Sequence, residues 1–174
     1  TYNPSFICNH SDHQGRYSFE RQPSVALWNL DRLANAIRSL IDETHLKDAL
    51  AEYEGFLVKE YSALMRQKFG LVEVYEDDSK LVNDYLQLLY VHRKDYPLSM
   101  RILSKEDNNM GSDFDSWFQR YHQRLTQEKI KSNRRKQSMD SVNPKYVLRN
   151  YLAEVAIRKA EDQQQHDEIE TLFN

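Results

Sequence analysis

This chain of 174 residues has one cysteine, Cys8. A lone thiol excludes an internal disulfide framework and a four-cysteine zinc site. Glycine and proline occur only four times each, which is poor turn chemistry for a multi-stranded sheet. No apolar run approaches the roughly 20 residues of a membrane helix, so no membrane partner is expected. Thr1-Tyr2-Asn3-Pro4 is neither basic nor followed by an apolar core, so no signal peptide is expected there. The first residue is not methionine, which suggests a piece of a longer protein. An excess of one charge is also lacking. Charged residues make up 29% of the chain, yet the net charge is −3. A nucleic-acid binder needs a concentrated positive field, so no nucleic-acid partner is expected.

What is present is helical material. Hydrophobic residues reach 40%, and a chain of this length buries about two thirds of its unfolded surface. Eleven tyrosines suit core margins, with the ring buried and the hydroxyl wet. Gln22-Pro23-Ser24 opens a first helix, because proline is tolerated where the N–H would be unpaired anyway. Val25, Leu27, Trp28, Leu30, Leu33, Ala34, Ile37 and Ile41 give it a wide apolar face, which reads as a central helix. Thr44 is the candidate cap of a second helix, with Leu46, Leu50, Tyr53, Leu57, Tyr61 and Leu64 at helical spacing and Gly70 as its stop.

A third helix begins at Asp77 or Asp78 and carries Leu81, Tyr85, Leu88 and Leu89. Asp95-Tyr96-Pro97 breaks it and starts a short fourth helix through Leu103. Residues 104–112 read as a loop. Asp113 is the candidate cap of an aromatic helix bearing Phe114, Trp117, Phe118, Tyr121 and Leu125. That stripe has core spacing, with a ligand-stacking platform as the alternative. Lys129 to Lys136 is a basic run leading into Gln137–Ser141, read as a mobile connection. It is either a solvated helix end or a contact surface for a partner. Asn143-Pro144 is the expected start of the last long helix, with Tyr146, Val147, Leu148, Tyr151, Leu152, Val155 and Ala156 facing inward. A short helix over 167–173 closes the chain.

The chemistry-bearing types gather in Cys8 to Pro23, CNHSDHQGRYSFERQP. Residues 1–22 read as an ordered loop, with Phe6, Ile7, Tyr17 and Phe19 as the anchors to bury. His10, Asp12 and His13 have metal-ligating chemistry, but neighbours in sequence need not converge and no third or fourth ligand is evident. The alternative is that Asn9, His10, Ser11 and Asp12 hydrogen-bond to backbone and pin the loop. Cys8 could act as a nucleophile with His10 or His13 as base, or as a redox thiol. Phe6 and Ile7 beside it suggest that it is at least partly buried. Arg16 and Arg21 suit phosphate or a structural ion pair. No glycine-rich loop stands by to cradle nucleotide phosphates.

Two longer matches carry a resemblance. Residues 7–23, ICNHSDHQGRYSFERQP, with Ala26-Leu27-Trp28-Asn29-Leu30, and residues 143–153, NPKYVLRNYLA, closely resemble the selenoprotein O family, which includes the bacterial YdiU proteins. Met65-Arg66-Gln67-Lys68, Gly70-Leu71 and Asp95-Tyr96 match in the same order. The resemblance implies an all-α fold class here: the multi-helix C-terminal portion of a protein-kinase-like fold with an N-terminal ordered loop. Residues 1–22 would be the activation-loop-like segment and 23–174 the helical domain.

The family is known for protein adenylylation, the transfer of AMP from ATP to Ser, Thr or Tyr hydroxyls of protein substrates. The resemblance thus implies ATP and Mg or Mn as cofactors of a longer parent. The nucleotide-binding, metal-binding and catalytic residues would precede Thr1, leaving this chain inactive alone. Cys8 matches an activation-loop cysteine and becomes a candidate redox switch. Asn9, His10, Ser11, Asp12, Arg16, Tyr17 and Arg21 become candidates for the acceptor side. Localisation would be cytoplasmic in a bacterium and mitochondrial in a eukaryote. Faces that the missing part would cover, above all Pro23 to Ile41, are expected to be exposed and open to self-association. Transfer of UMP with manganese, or a non-enzymatic helical interaction module with Lys129–Lys136 as its surface, are the alternatives.

Overall fold

A computed structural model of the chain describes residues 1–106 and 109–173. All regular structure among them is helical: α1 (Gln22–Ile37), α2 (Glu43–Lys68), α3 (Asp78–Val91), α4 (Tyr96–Ser104), α5 (Asp115–Leu125), α6 (Ser132–Val142), α7 (Asn150–Gln163) and α8 (Asp167–Phe173). The all-α expectation therefore holds. None of these helices is long and apolar enough to cross a membrane. The chain divides into two compact units, Thr1–Asn143 and Pro144–Asn174.

The core of the first unit lies where α3, α4, α5 and α6 meet the C-terminal end of α2. Trp117 stacks on Tyr121 at 5.0 Å and leans on Tyr85 at 4.4 Å, and Phe69 meets both Tyr85 and Trp117 edge-on. The aromatic stripe of α5 is thus core. Its buried polar tips are satisfied: Trp117 Nε1 donates to Leu81 O at 2.8 Å and the Tyr121 hydroxyl to Phe69 O at 2.8 Å. Burial without those bonds would cost more than the rings gain in specificity.

Between α2 and α3 the chain turns at Gly70, where φ is +69°. A Cβ there would lie 2.5 Å from Arg135 Cγ and 2.7 Å from Met139 Sδ. Only glycine allows both the left-handed backbone and this close approach of α6. Buried charge holds the same region. Arg124 on α5 donates to Asp78 Oδ1 at 2.6 Å and to Glu73 O at 2.8 Å, and meets Glu128 at 2.8 Å. Glu128 in turn accepts from Val72 N at 3.1 Å.

Several local expectations are corrected. Asp42, not Thr44, caps α2: its side chain accepts from Thr44 N at 2.9 Å. A single 3-10 turn, Ser112–Phe114, precedes α5, so Asp113 caps nothing. The loop expected over 104–112 begins one residue later, because Ser104 is still helical; Asp107 and Asn108 lie outside the described residues. The stretch read as a mobile connection is α6, whose inward side is Arg135 and Met139. Arg135 is buried because Glu106 pairs with its guanidinium. Asn143 does not open the last helix. It ends α6, with its backbone N–H donating to Met139 O at 2.9 Å.

Helix α1 differs most from expectation. It begins at Gln22 as anticipated but ends at Ile37, and none of its residues is buried. Leu27, Trp28, Leu30 and Leu33 are exposed. A wide apolar face reads as central in sequence, yet in this chain α1 packs mainly on α2 and the rest of its face meets water. The exposed face anticipated over residues 23–41 is therefore present. In the second unit α7 packs on α8. Ala156 is buried, whereas Tyr146, Val147, Leu148, Tyr151 and Val155 are exposed rather than inward-facing.

Candidate functional site

The N-terminal loop is ordered by its own short polar side chains. Asn9 Oδ1 accepts from the backbone N–H groups of Ser11 at 3.1 Å and Asp12 at 2.8 Å. Asp12 repeats the device: its carboxylate accepts from Arg16 N at 2.9 Å and Tyr17 N at 2.7 Å. Side-chain acceptors that bond backbone two to five residues on hold a turn without any regular ladder. Those bonds, Tyr17 N–H first, hold the Asp12 carboxyl below the usual carboxylate range. Gly15, at φ +66°, supplies the left-handed residue between the two halves.

The loop is then tied down at both ends. Phe19 N donates to Phe6 O at 3.0 Å and Glu20 N to Pro4 O at 2.9 Å, so residues 4–6 run beside 19–20. Tyr2 N donates to Lys94 O at 2.7 Å, and the Tyr2 ring tilts against Tyr96 at 5.8 Å. Tyr2, partly buried against the core, is the anchor that sequence reasoning missed. The expected anchors behave differently. Phe6, Tyr17 and Phe19 are exposed, and the buried member is Ser18.

Cys8 is exposed, which corrects the expectation of partial burial. Its neighbour Phe6 is exposed and Ile7 only half-buried, so nothing covers the thiol. His10, Ser11 and His13 are exposed as well. Among the described residues no group of three or more His, Cys, Asp or Glu side chains is placed to hold a metal ion.

Arg16 is where the loop meets the helix. Asp12 fixes its backbone, and its guanidinium lies over the Trp28 ring of α1, 4.1 Å from the centroid. Arg32, one turn further along α1, lies 5.4 Å from the same ring and pairs with Asp31. Neither Arg16 nor Arg21 pairs with a carboxylate among the described residues, so the structural ion pair is not the role the fold gives them. Arg21 instead ends the loop: its carbonyl accepts from Ser24 Oγ at 2.8 Å at the start of α1. The structure therefore gathers Asn9, Asp12, Arg16 and Tyr17 with Trp28, while Cys8, His10 and Arg21 are exposed. Nothing in the sequence spacing of Arg16 and Trp28 signals this pairing.

A separate cavity of about 430 Å³ is lined by Tyr75, Asp78, Lys80, Arg120 and Arg124 among others. Its cations are already engaged, Arg124 with Asp78, and Lys80 and Arg120 with Asp84. It offers no free cationic cradle for a triphosphate.

Residues 1–174 match the family model described as protein adenylyltransferase SelO. The chain is 44% identical over 171 residues to the protein nucleotidyltransferase YdiU of Pectobacterium atrosepticum, covering 92% of this chain and 35% of that protein. It is 43% identical over 172 residues to the protein of the same name from Pectobacterium carotovorum, covering 92% and 36%. To the one from Pseudoalteromonas atlantica it is 41% identical over 172 residues, again covering 92% and 36%. The chain thus spans about a third of the length of these relatives.

Proposed function

This chain belongs to the SelO family of protein adenylyltransferases, and on that premise we propose that it is the helical part of a protein that transfers AMP from ATP to Ser, Thr or Tyr hydroxyls of protein substrates. The loop over residues 1–22 borders the acceptor side. ATP and its Mg or Mn ion are held by residues outside this chain, on a kinase-like scaffold that the helices complete.

The observation that carries this reading is the family match along the whole chain, joined to relatives named as protein nucleotidyltransferases. One feature supports the division of labour. Leu27, Leu30 and Leu33 share one side of α1 and lie exposed, as expected of a helix side whose partners belong to another part of a larger protein.

In the reaction the acceptor hydroxyl oxygen attacks the α-phosphorus. A new P–O bond forms, the bond to the oxygen bridging to the β-phosphate breaks, pyrophosphate leaves, and the hydroxyl proton passes to a base. What this chain contributes is orientation of the acceptor by a loop whose backbone Asn9 and Asp12 fix in advance. Preorganisation of that kind lowers the barrier by placing the reactants rather than by bond chemistry.

The test uses a full-length relative and this chain side by side, with ATP labelled on its α-phosphate and a mixture of acceptor proteins. Label should enter protein with the full-length relative and not with this chain. Label transferred by this chain alone would overturn the division of labour. Failure of the full-length protein with every nucleotide would overturn the activity itself. The relatives' name specifies no nucleotide, so a second arm replaces ATP by UTP with manganese; preferential labelling there favours UMP transfer.

A further inference from the structure

We propose that Arg16, seated on Trp28, reads an acidic side chain of the protein acceptor. The proposal rests on the reading of residues 1–22 as the acceptor side and adds the chemistry that side selects.

Three observations carry it. The first is the seat. The Arg16 guanidinium lies 4.1 Å from the Trp28 ring centroid, and the Tyr17 ring is 5.7 Å away. A guanidinium stacked on a ring keeps its in-plane N–H donors directed outward, in the fork that matches a carboxylate. The second is vacancy of charge. Arg32, on the same indole, is paired with Asp31, whereas Arg16 has no carboxylate partner among the described residues. The third is delivery. Both oxygens of Asp12 bond backbone N–H groups, those of Arg16 and Tyr17. The Asp12 charge is therefore spent on the backbone, and the Arg16 side chain is left to an outside anion.

The surroundings favour a protein over a nucleotide. Tyr17 and Trp28 are 43% and 46% exposed, so the surface is open and not a concave nucleotide site. Tyr, Trp and Arg side by side make the composition that dominates protein–protein contacts. A carboxylate from an acceptor chain would accept two N–H bonds from Arg16 while an adjoining apolar residue covers the indole edge.

Two labelled peptides test this against the whole 174-residue chain, with fluorescence anisotropy as readout. One has tyrosine flanked by Asp and Glu; the other replaces these with Asn and Gln. The acidic peptide should bind about tenfold more tightly, the difference one charge-assisted bidentate pair supplies. Arg16→Gln should abolish that difference and Arg16→Lys should retain only part of it, because an ammonium lacks the fork. Trp28→Ala should reduce it by removing the seat. The bonds from Asp12 go to backbone, so Arg16→Gln leaves the loop in place, which circular dichroism and the Tyr17 amide signal verify. No binding of the acidic peptide, an unchanged ratio in Arg16→Gln, or displacement of the peptide by ATP through Arg16 would each overturn the inference. Absence of AMP transfer in the full-length relative overturns only the reading it rests on; loss of charge discrimination overturns this inference alone.

Discussion

Asn143 and Lys68 hold each other's helix ends. The Asn143 side-chain amide donates to Lys68 O at 2.9 Å, and Lys68 Nζ donates to Val142 O at 2.8 Å and to Asn143 Oδ1 at 3.3 Å. Two C-termini, those of α2 and α6, are thereby satisfied by one reciprocal pair far apart in sequence. Helix C-termini leave carbonyls without intrahelical partners, and a lysine nearby also favours the negative end of the helix dipole.

Asn143→Ala is therefore expected to destabilise the first unit. Asn143 is fully buried, and its loss leaves the Lys68 carbonyl without its amide donor and the ammonium with Val142 O alone, at a cost of roughly 1–3 kcal/mol. Urea unfolding followed by circular dichroism reads this as a lower midpoint at unchanged slope. An unchanged midpoint would show the pair to be dispensable.

A larger loss is expected at Arg124. Its side chain lies between the buried carboxylates of Asp78 and Glu128. Arg124→Met keeps most of the volume and leaves two uncompensated carboxylates, at roughly 3–5 kcal/mol. The triple change Arg124→Met, Asp78→Asn, Glu128→Gln should recover much of it. Equal destabilisation of single and triple variants would contradict the charge argument.

The core is expected to be sensitive to alkali. Burial pushes the Tyr96 phenol up to about 12 and raises Tyr85 and Tyr121 further. A folded value above the ordinary 10.0 means stability fully present below that pH and lost as pH rises through the folded value. Phenolate absorbance of these tyrosines should appear together with loss of helical signal. Their titration near the ordinary value in a protein that stays folded would contradict this.

Asp12 responds at the other end of the scale. Its carboxyl is held below 3.8 by the Tyr17 and Arg16 backbone N–H groups, so its hold on the loop persists above the ordinary carboxylate value and fails as pH falls through the lower folded one. Asp12→Asn keeps one acceptor oxygen where the carboxylate has two. Hydrogen exchange at the Arg16 and Tyr17 amides should accelerate in this variant while α3 and α5 remain protected. Unchanged exchange would remove Asp12 as the loop's organiser.

Helices with regular apolar spacing were legible in the sequence. The three- and four-residue spacing from Leu46 to Leu64 and the stop at Gly70 mark α2, and Trp117, Phe118 and Tyr121 mark α5. Helix α6 was hidden because its inward face is built from Arg135 and Met139. A guanidinium that reaches Glu106 substitutes there for an apolar residue, which a hydrophobic period does not register. Asn143-Pro144 has the form of a helix start, and only the distant carbonyl of Lys68 makes Asn143 an end. At the loop, the polar residue types pointed to Asn9 and Asp12 as organisers. The role of Trp28 was not legible, because an indole on a wide apolar stripe reads as core until a neighbouring loop places Arg16 on its face.

The central claim is that this chain supplies the acceptor side of a nucleotidyl transfer and leaves the nucleotide to other residues. ATP titrated with Mg or Mn into the isotope-labelled chain, followed through its amide NMR signals, tests it most directly. The account predicts no saturable shift anywhere in the first unit. Saturable shifts converging on the loop or on the cavity beside Arg124 would place the nucleotide on this chain and contradict it.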